Sequence, residues 1–308
     1  MNYTLHQLRV FCKVCDYQSV TRAAEALHLT QPAVSLQLKK FQESFEIPLV
    51  EVVNRQLYVT TFGRQIESLA REMLDKAQEI ESAADAHRGL LTGDIKIASA
   101  STGKYVLPYF LTGFIRQHPG VNISVDVTNK TLVVDALRTN AVDFAVVSVI
   151  PDQLRLHPLP LLPNELYLVA AVDYPGLPAR MTPKKLAGFP LLLREPGSAT
   201  RQAMEQFLRT AQVSGYRSMQ LVSNEAVKQA VRAGLGLSIL PRIGIRTELA
   251  AGDLQIVPMR GLPIVTEWNL VFNQGKQLSP AARALLAHIG AEKQRIVAAS
   301  FTPAPGRP

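Results

Sequence analysis

Cysteine is nearly absent from this chain of 308 residues: there are two, Cys12 and Cys15. A CxxC pair can hold a metal or cycle as a disulfide. Here it has no second pair and no histidine couple beside it. It lies in an apolar helical stretch with Leu8 and Phe11, so both thiols read as small buried hydrophobes. The six histidines are scattered, with no HExxH and no pair at ligand spacing, so no metal is expected. The loops that cradle phosphates or present a nucleophile are also missing: there is no GxGxxG, no GxxxxGKS/T and no GxSxG. Gly234-Leu235-Gly236 is the nearest fragment, and it precedes a strand instead of opening a helix. Ser99 and Ser101 have no base close in sequence. No apolar run is long enough to cross a bilayer. Residues 1–7 lack a basic start followed by an apolar stretch, so they do not read as an export signal. These absences weigh against an enzyme, a cofactor and a membrane span, and the chain reads as cytoplasmic.

What is present is core-forming material. Hydrophobic residues make up 47% and charged residues 19%, enough apolar content for packed domains and, at this length, for more than one. The net charge of +8 is unevenly placed. Residues 1–91 hold 10 Lys+Arg and 11 Asp+Glu, a balance of −1; residues 92–308 hold 23 and 14, a balance of +9. A positive field over the second region favours an anionic ligand, or it reflects scattered surface lysines that serve solubility.

The N-terminal pattern is helical. Residues 5–16 place Leu5, Leu8, Phe11, Cys12 and Cys15 on one face. Ser19 can cap a second helix over 20–27, and His28-Leu29 makes the turn. Thr30 can cap a third helix, with Pro32 in its first turn, running to about Phe45 and burying Val34, Leu38, Phe41 and Phe45. Two short helices joined by a tight turn make a helix-turn-helix. The outer face of the second offers Thr30, Gln31, Pro32, Ser35, Gln37, Lys39 and Lys40. Glutamine can read adenine edges, while lysine and serine can hold phosphates. Strands over 49–53 and 57–60 form a hairpin wing, with Arg55 at its tip for the minor groove or a phosphate.

The run Ala23-Ala24-Glu25-Ala26-Leu27-His28-Leu29-Thr30-Gln31-Pro32-Ala33-Val34-Ser35 resembles the signature of LysR-type transcriptional regulators, and the likeness continues through Pro48-Leu49, Arg55 and Thr60-Thr61-Phe62-Gly63. Two positions depart from it. Leu36 stands where the family often has Arg or Lys, and Val52 where it often has Arg. Both changes remove a DNA contact, leaving Lys39, Lys40 and Arg55 to hold phosphates or the salt dependence to be shallower. Within the second region, residues 193–201, 223–231, 261–264 and 278–282 look like the branch that controls Calvin-cycle (RuBisCO) operons, a branch that senses phosphorylated metabolites.

Residues 62–91 have no proline, and Ile66, Ala70, Met73, Ala77, Ile80 and Ala84 recur at alternating spacing of 4 and 3. Such a seam pairs a helix with another helix, or docks an amphipathic helix on its own domain. The resemblance implies pairing, hence a homodimer or homotetramer reading an inverted repeat in double-stranded DNA. It also implies contact with RNA polymerase.

From Asp94 onward strands and helices alternate. The expected fold is α+β multidomain: a winged helix-turn-helix over 1–61, a linker helix over 62–91, and an α/β sensor of two Rossmann-like subdomains, periplasmic-binding-protein-like. Subdomain I takes 92–161 and 266–300, and subdomain II takes 162–265, with a disordered proline-rich tail over 301–308. Strands are expected over 95–98, 121–127, 144–149, 167–172, 190–193, 219–222, 237–240 and 267–272, and a helix over 104–118. Ligands in such folds sit beyond the carboxyl ends of strands. The turns placed there carry Ser99, Ser101, Thr102 and Lys104; Thr128 and Asn129; Ser198, Thr200 and Arg201; and Asn224. Hydroxyls and free N–H groups at helix starts suit a small anionic metabolite, although Ser, Thr and Asn also serve there simply as caps. Lys130 and Arg194, with Lys104 and Arg201, offer countercharge. A solute-binding protein of the periplasmic type shares this architecture, but the absent export signal and the N-terminal module argue against it.

Overall fold

The computed structural model describes residues 3–54, 56–87 and 90–301, the side chains of residue 79 and residues 81–87 excepted. The chain divides into two compact units at Gly93 and Asp94.

In the first unit, α1 (Leu5–Tyr17), α2 (Val20–Leu27) and α3 (Gln31–Gln42) pack together, followed by a hairpin of β1 (Val50–Val53) and β2 (Gln56–Val59) and by α4 (Thr61–His87). Each short helix is capped by the chain just before it. Thr4 and Gln7 form a reciprocal box on α1, Ser19 accepts from Arg22 N, and Thr30 accepts from Ala33 N. His28 ends α2 in the left-handed conformation at φ 53°, which turns the chain sharply toward Thr30. Leu8, Phe11, Ala23, Val34, Leu38, Phe41 and Leu49 form the core. Cys12 and Cys15 are buried within it and unbridged. Burial pushes the Cys15 thiol up, so it stays protonated. The helix expected to reach Phe45 stops at Gln42, because the Gln42 side chain turns back to hold Ile47 O and Leu49 N and starts the wing. Arg55 lies outside the described residues.

The expected seam of α4 divides between two environments. Ile66, Ala70 and Leu74 join the core of the unit itself, and Arg71 clamps α4 to α1 through Asp16. Met73 and Ile80 face outward instead, at 43% and 73% exposure, together with Leu69 at 55%. The heptad spacing was shared by two adjoining apolar faces that a one-dimensional pattern cannot separate. The Ala84 side chain lies outside the described residues.

The second unit runs β3 (Gly93–Ala100), a 3₁₀ turn (Ser101–Tyr105), α5 (Leu107–Gln117), β4 (Val121–Thr128), α6 (Lys130–Arg138), β5 (Phe144–Val147), β6 (Leu156–Ala171), α7 (Pro183–Leu186), β7 (Leu191–Arg194), α8 (Ala199–Thr210), β8 (Ser218–Leu221), α9 (Asn224–Arg232), β9 (Ser238–Pro241), α10 (Arg246–Ala251), β10 (Leu254–Ile256), β11 (Ile264–Asn273) and α11 (Pro280–Ser300). One sheet has the order β10-β6-β11-β5-β3-β4, with β9 also on β6. β3 and β5 are parallel, as are β7 and β8 in a separate pair. The strand–helix alternation therefore does give parallel pairing, but the two halves are joined by long antiparallel strands, β6 and β11. The expected boundaries at 161/162 and 265/266 fall inside these strands. A register shift between Trp268 and Asn269 leaves Leu161 as an extra residue on β6.

The expected strand over 167–172 is the later half of β6. Its earlier half was hidden by Pro158, Pro160 and Pro163, since proline cannot donate to a ladder. β9 and β10 pair only with residues 166–171, so the prolines lie where β6 has β11 on one side alone. The helix expected over 104–118 is also divided. Residues 101–105 make a 3₁₀ turn and α5 starts at Leu107, because Pro108 fits only a first helical turn. No helix among the described residues is long and apolar enough to cross a membrane.

Candidate functional site

The first unit presents a flat polar face on α3. Successive rows on this helix are Gln31, Ser35 and Lys39, and Pro32, Leu36 and Lys40; all six residues are exposed. Thr30 is exposed too, with its hydroxyl engaged as the helix cap. Gln37 sits on the flank, half-buried. Val34, Leu38 and Phe41 hold the opposite face in the core, so α3 is anchored by one side and displayed by the other. Leu36 and Val52, the two departures from the family pattern, stand exposed, at 50% and 69%.

In the second unit, four turns at the carboxyl ends of strands carry the polar residues. At the end of β3, Ser99 is fully buried and donates to Ala100 O, and Thr102, in the 3₁₀ turn that follows, is buried as well. The turn after β4 brings Thr128 and Asn129; Asn129 caps α6 by accepting from Leu132 N. The turn after β7 supplies Ser198, which caps α8, and the buried Thr200. The turn after β8 supplies Asn224, 1% exposed. The hydroxyls of Thr102 and Thr200 have no hydrogen-bond partner among the described residues.

Contacts between these turns join the two halves. Arg194 Nη2 donates to Ser101 Oγ at 2.9 Å, and Lys130 Nζ donates to Gln202 Oε1 at 3.0 Å. Gly197 has φ +85°, and a Cβ there would lie 2.6 Å from Thr131 Oγ1, so only glycine lets this turn approach α6. Asn224 Nδ2 lies 3.5 Å from the Tyr105 hydroxyl.

Arg194 carries the electrostatics. Its side chain is 2% exposed and bonds Glu195 through Nε and Nη2, each at 2.8 Å. Its Nη1 is buried with no partner, and so is Asn224 Oδ1. A buried N–H of a cation left unpaired costs about 1–3 kcal/mol or more, a cost that an anionic ligand would relieve. Arg201, expected as an anion contact, gives Nε to Glu205 and Nη1 to Gln220 and Arg194 O, so it braces the Arg194 backbone. Lys104 is exposed and lines another cavity. Tyr105 and Thr131 escaped the sequence reading. Tyr105 looked like a helix residue, and nothing in one dimension shows that Thr131 faces Gly197.

Comparison with known proteins bears on both units. Residues 5–64 match the family model described as bacterial regulatory helix-turn-helix protein, lysR family, and residues 88–294 match the LysR substrate binding domain. A RuBisCO operon transcriptional regulator of Allochromatium vinosum is 37% identical over 297 residues, which cover 96% of this chain and 98% of that protein. One from Acidithiobacillus ferrooxidans is 36% identical over 287 residues, 93% of each. Among solved structures, the regulatory domain of CcmR from Synechocystis PCC6803 in complex with 2-PG is similar, with a TM-score of 0.62 and 31% identity. That match covers 69% of this chain and 100% of that one.

Proposed function

The chain belongs to the LysR family of transcriptional regulators, with a helix-turn-helix and an effector-binding domain rather than an enzyme's active site, and from that premise we propose how it works. A small anionic metabolite binds in the cleft at the ends of β3, β4, β7 and β8. The observation that carries this reading is the unpartnered Nη1 of buried Arg194. Ser99, Thr102, Thr128 and Thr200 surround the anion with hydroxyls, and Arg201 steadies Arg194 from behind. The net charge of +9 on residues 92–308 draws the anion in. The CcmR domain that is similar to this unit holds 2-PG, which supports a small metabolite.

Two copies pair along the outward strip Leu69, Met73 and Ile80 of α4, as a homodimer or within a homotetramer. Each copy lays α3 in the major groove of one half-site of an inverted repeat, with Gln31 and Ser35 toward base edges and Lys39 and Lys40 toward phosphates. Arg55 meets the duplex from the wing. Ligand binding favours one arrangement of the sensor halves, and the bound dimer changes its hold on the promoter and on RNA polymerase to the extent that the ligand prefers that arrangement. The named relatives support a RuBisCO operon as the target.

Footprinting on the DNA upstream of the gene itself tests the first half of this reading: protection no stronger than on random DNA overturns it. A thermal-shift screen with sugar phosphates, dicarboxylates and aromatic acids tests the second. A ligand at a hundred times its Kd stabilises the fold by about 2.7 kcal/mol. Thr200→Ala with Arg201→Ala is expected to abolish that shift and leave DNA binding intact. A normal response from the double variant places the anion elsewhere.

A further inference from the structure

The second unit holds another cavity, of about 790 Å³, between the 3₁₀ turn and α5 on one side and α10 and the end of α11 on the other. Arg194, Ser99, Thr128 and Thr200 are not among its lining residues. Tyr105 lines it, with its hydroxyl toward Asn224 and its ring edge so near Gly244 that a Cβ there would lie 2.9 Å from Tyr105 Cε2.

The wall of this cavity carries three cations, Lys104, Lys228 and Arg246, against one carboxylate, Glu248. Glu248 is already engaged, at 2.6 Å from Lys228 Nζ, and Glu225 holds the same ammonium at 3.0 Å from the rim. Burial works to lower the pKa of Lys228, but the hydrogen bonds to Glu248 and Glu225 outweigh it and raise it above the ordinary value, so this lysine is charged. Lys104 and Arg246 have no carboxylate within ion-pair distance among the described residues. Lys104 lies 5.1 Å over the Tyr105 ring, and Arg246 gives one N–H to Ser300 O at 3.0 Å. The rest of the lining mixes the polar Thr247 and Ser300 with apolar and aromatic residues. Tyr109 and Phe301 meet edge to face with centroids 5.0 Å apart, beside Pro108.

A concavity of this size with aromatic side chains and a few charged groups in its lining has room for a small molecule. We propose that this cavity is a second ligand site, for a small aromatic anion: the ring packs on Tyr109 and Phe301, and the carboxylate or phosphate reaches Lys104 and Arg246. An aromatic wall alone would favour cationic ligands; Lys104 and Arg246 in this lining select the opposite sign.

Calorimetric titration of the full chain with phenyl phosphate tests the proposal, with inorganic phosphate as the ring-free control. Saturable binding of phenyl phosphate is expected, with inorganic phosphate about tenfold weaker or more. Lys104→Ala with Arg246→Ala should weaken phenyl phosphate at least about tenfold, the scale of losing a charge-assisted contact. Val265→Ala, exposed on β11 and outside both sites, should leave it within about twofold. Ala250→Trp, at an exposed position of the lining, should block binding without touching any charge. Three results overturn the proposal: no saturable binding to the wild-type chain, unchanged affinity in both cavity variants, or a loss in Thr200→Val, in the Arg194 cleft, that the cavity variants do not share. The first two leave the Arg194 site untouched, whose own test stands on Thr200 and Arg201; the third places phenyl phosphate at that site instead.

Discussion

On α3, Gln31, Ser35, Lys39 and Lys40 stand in solvent on a helix whose other side is locked into an apolar core; in the second unit Ser99, Thr102, Arg194, Ser198, Thr200 and Asn224 are all buried. The same residue types are used in opposite ways, and under the proposed function partner size accounts for the difference. A duplex cannot be enclosed, so its reader displays polar groups that water satisfies until DNA arrives. A metabolite can be enclosed, so its reader desolvates polar groups in advance and leaves some unsatisfied. Among the described residues, the buried polar side-chain atoms without partners all fall in the second unit, on Asn164, Arg194, Asn224, Trp268 and His288. Changes on the displayed face should therefore alter binding with little effect on folding, while changes in the cleft should alter both.

The largest effect should come from Phe41→Ala. Phe41 is fully buried beneath α3, so its loss should cost about 3–5 kcal/mol and abolish DNA binding. The ligand-induced thermal shift of the second unit should survive, because the two units have separate cores; a lost shift would show that they fold as one. Arg194→Gln should cost about 3 kcal/mol or more in chemical denaturation, since Glu195 loses its partner inside the protein. It should remove the ligand response as well, and a stable variant that still responds would break the contrast at its strongest point. Gln31→Ala with Ser35→Ala should lower discrimination for the operator by about 1–3 kcal/mol in competition binding and change stability by no more than about 0.5 kcal/mol. Equal losses on operator and random DNA would make both residues structural. The smallest effect is a gain. Leu36→Arg adds a cation to the exposed row of α3 and should steepen the dependence of log K on log salt by about one. An unchanged slope would mean that position 36 does not face a phosphate.

The displayed unit was the more legible of the two. Its caps Ser19 and Thr30, the turn at His28, the spacing of Val34, Leu38 and Phe41, and the hairpin wing can all be read from neighbours within a few residues. In the sensor, local reading found the four turns but not which polar atoms in them are left over. Arg201 and Arg194 look equivalent in sequence. Only the fold brings Glu205 and Gln220 to the first and strands one N–H of the second. Long-range pairing was lost in the same way: the prolines made the first half of β6 look unlike a strand, and the partner that tolerates them, β11, begins about a hundred residues later. The seam on α4 was found, but its division between an inner and an outer face depends on α1, which lies far back in the chain.

Those prolines of β6 have a consequence for the protein's life at high concentration. Pro158 and Pro160 are two residues apart and Pro163 three, and the extra residue Leu161 makes the longer step equivalent to the shorter one. All three prolines therefore point their nitrogens the same way, away from β11. The carbonyl of Pro160 is taken on that side by Lys293 Nζ at 3.3 Å. This margin of the sheet offers no N–H at three successive sites where an intruding chain would seek one, and a lysine lies across it. Stray strands find no template to extend, so the half of β6 that lacks a second neighbour is guarded against runaway stacking of one molecule on the next.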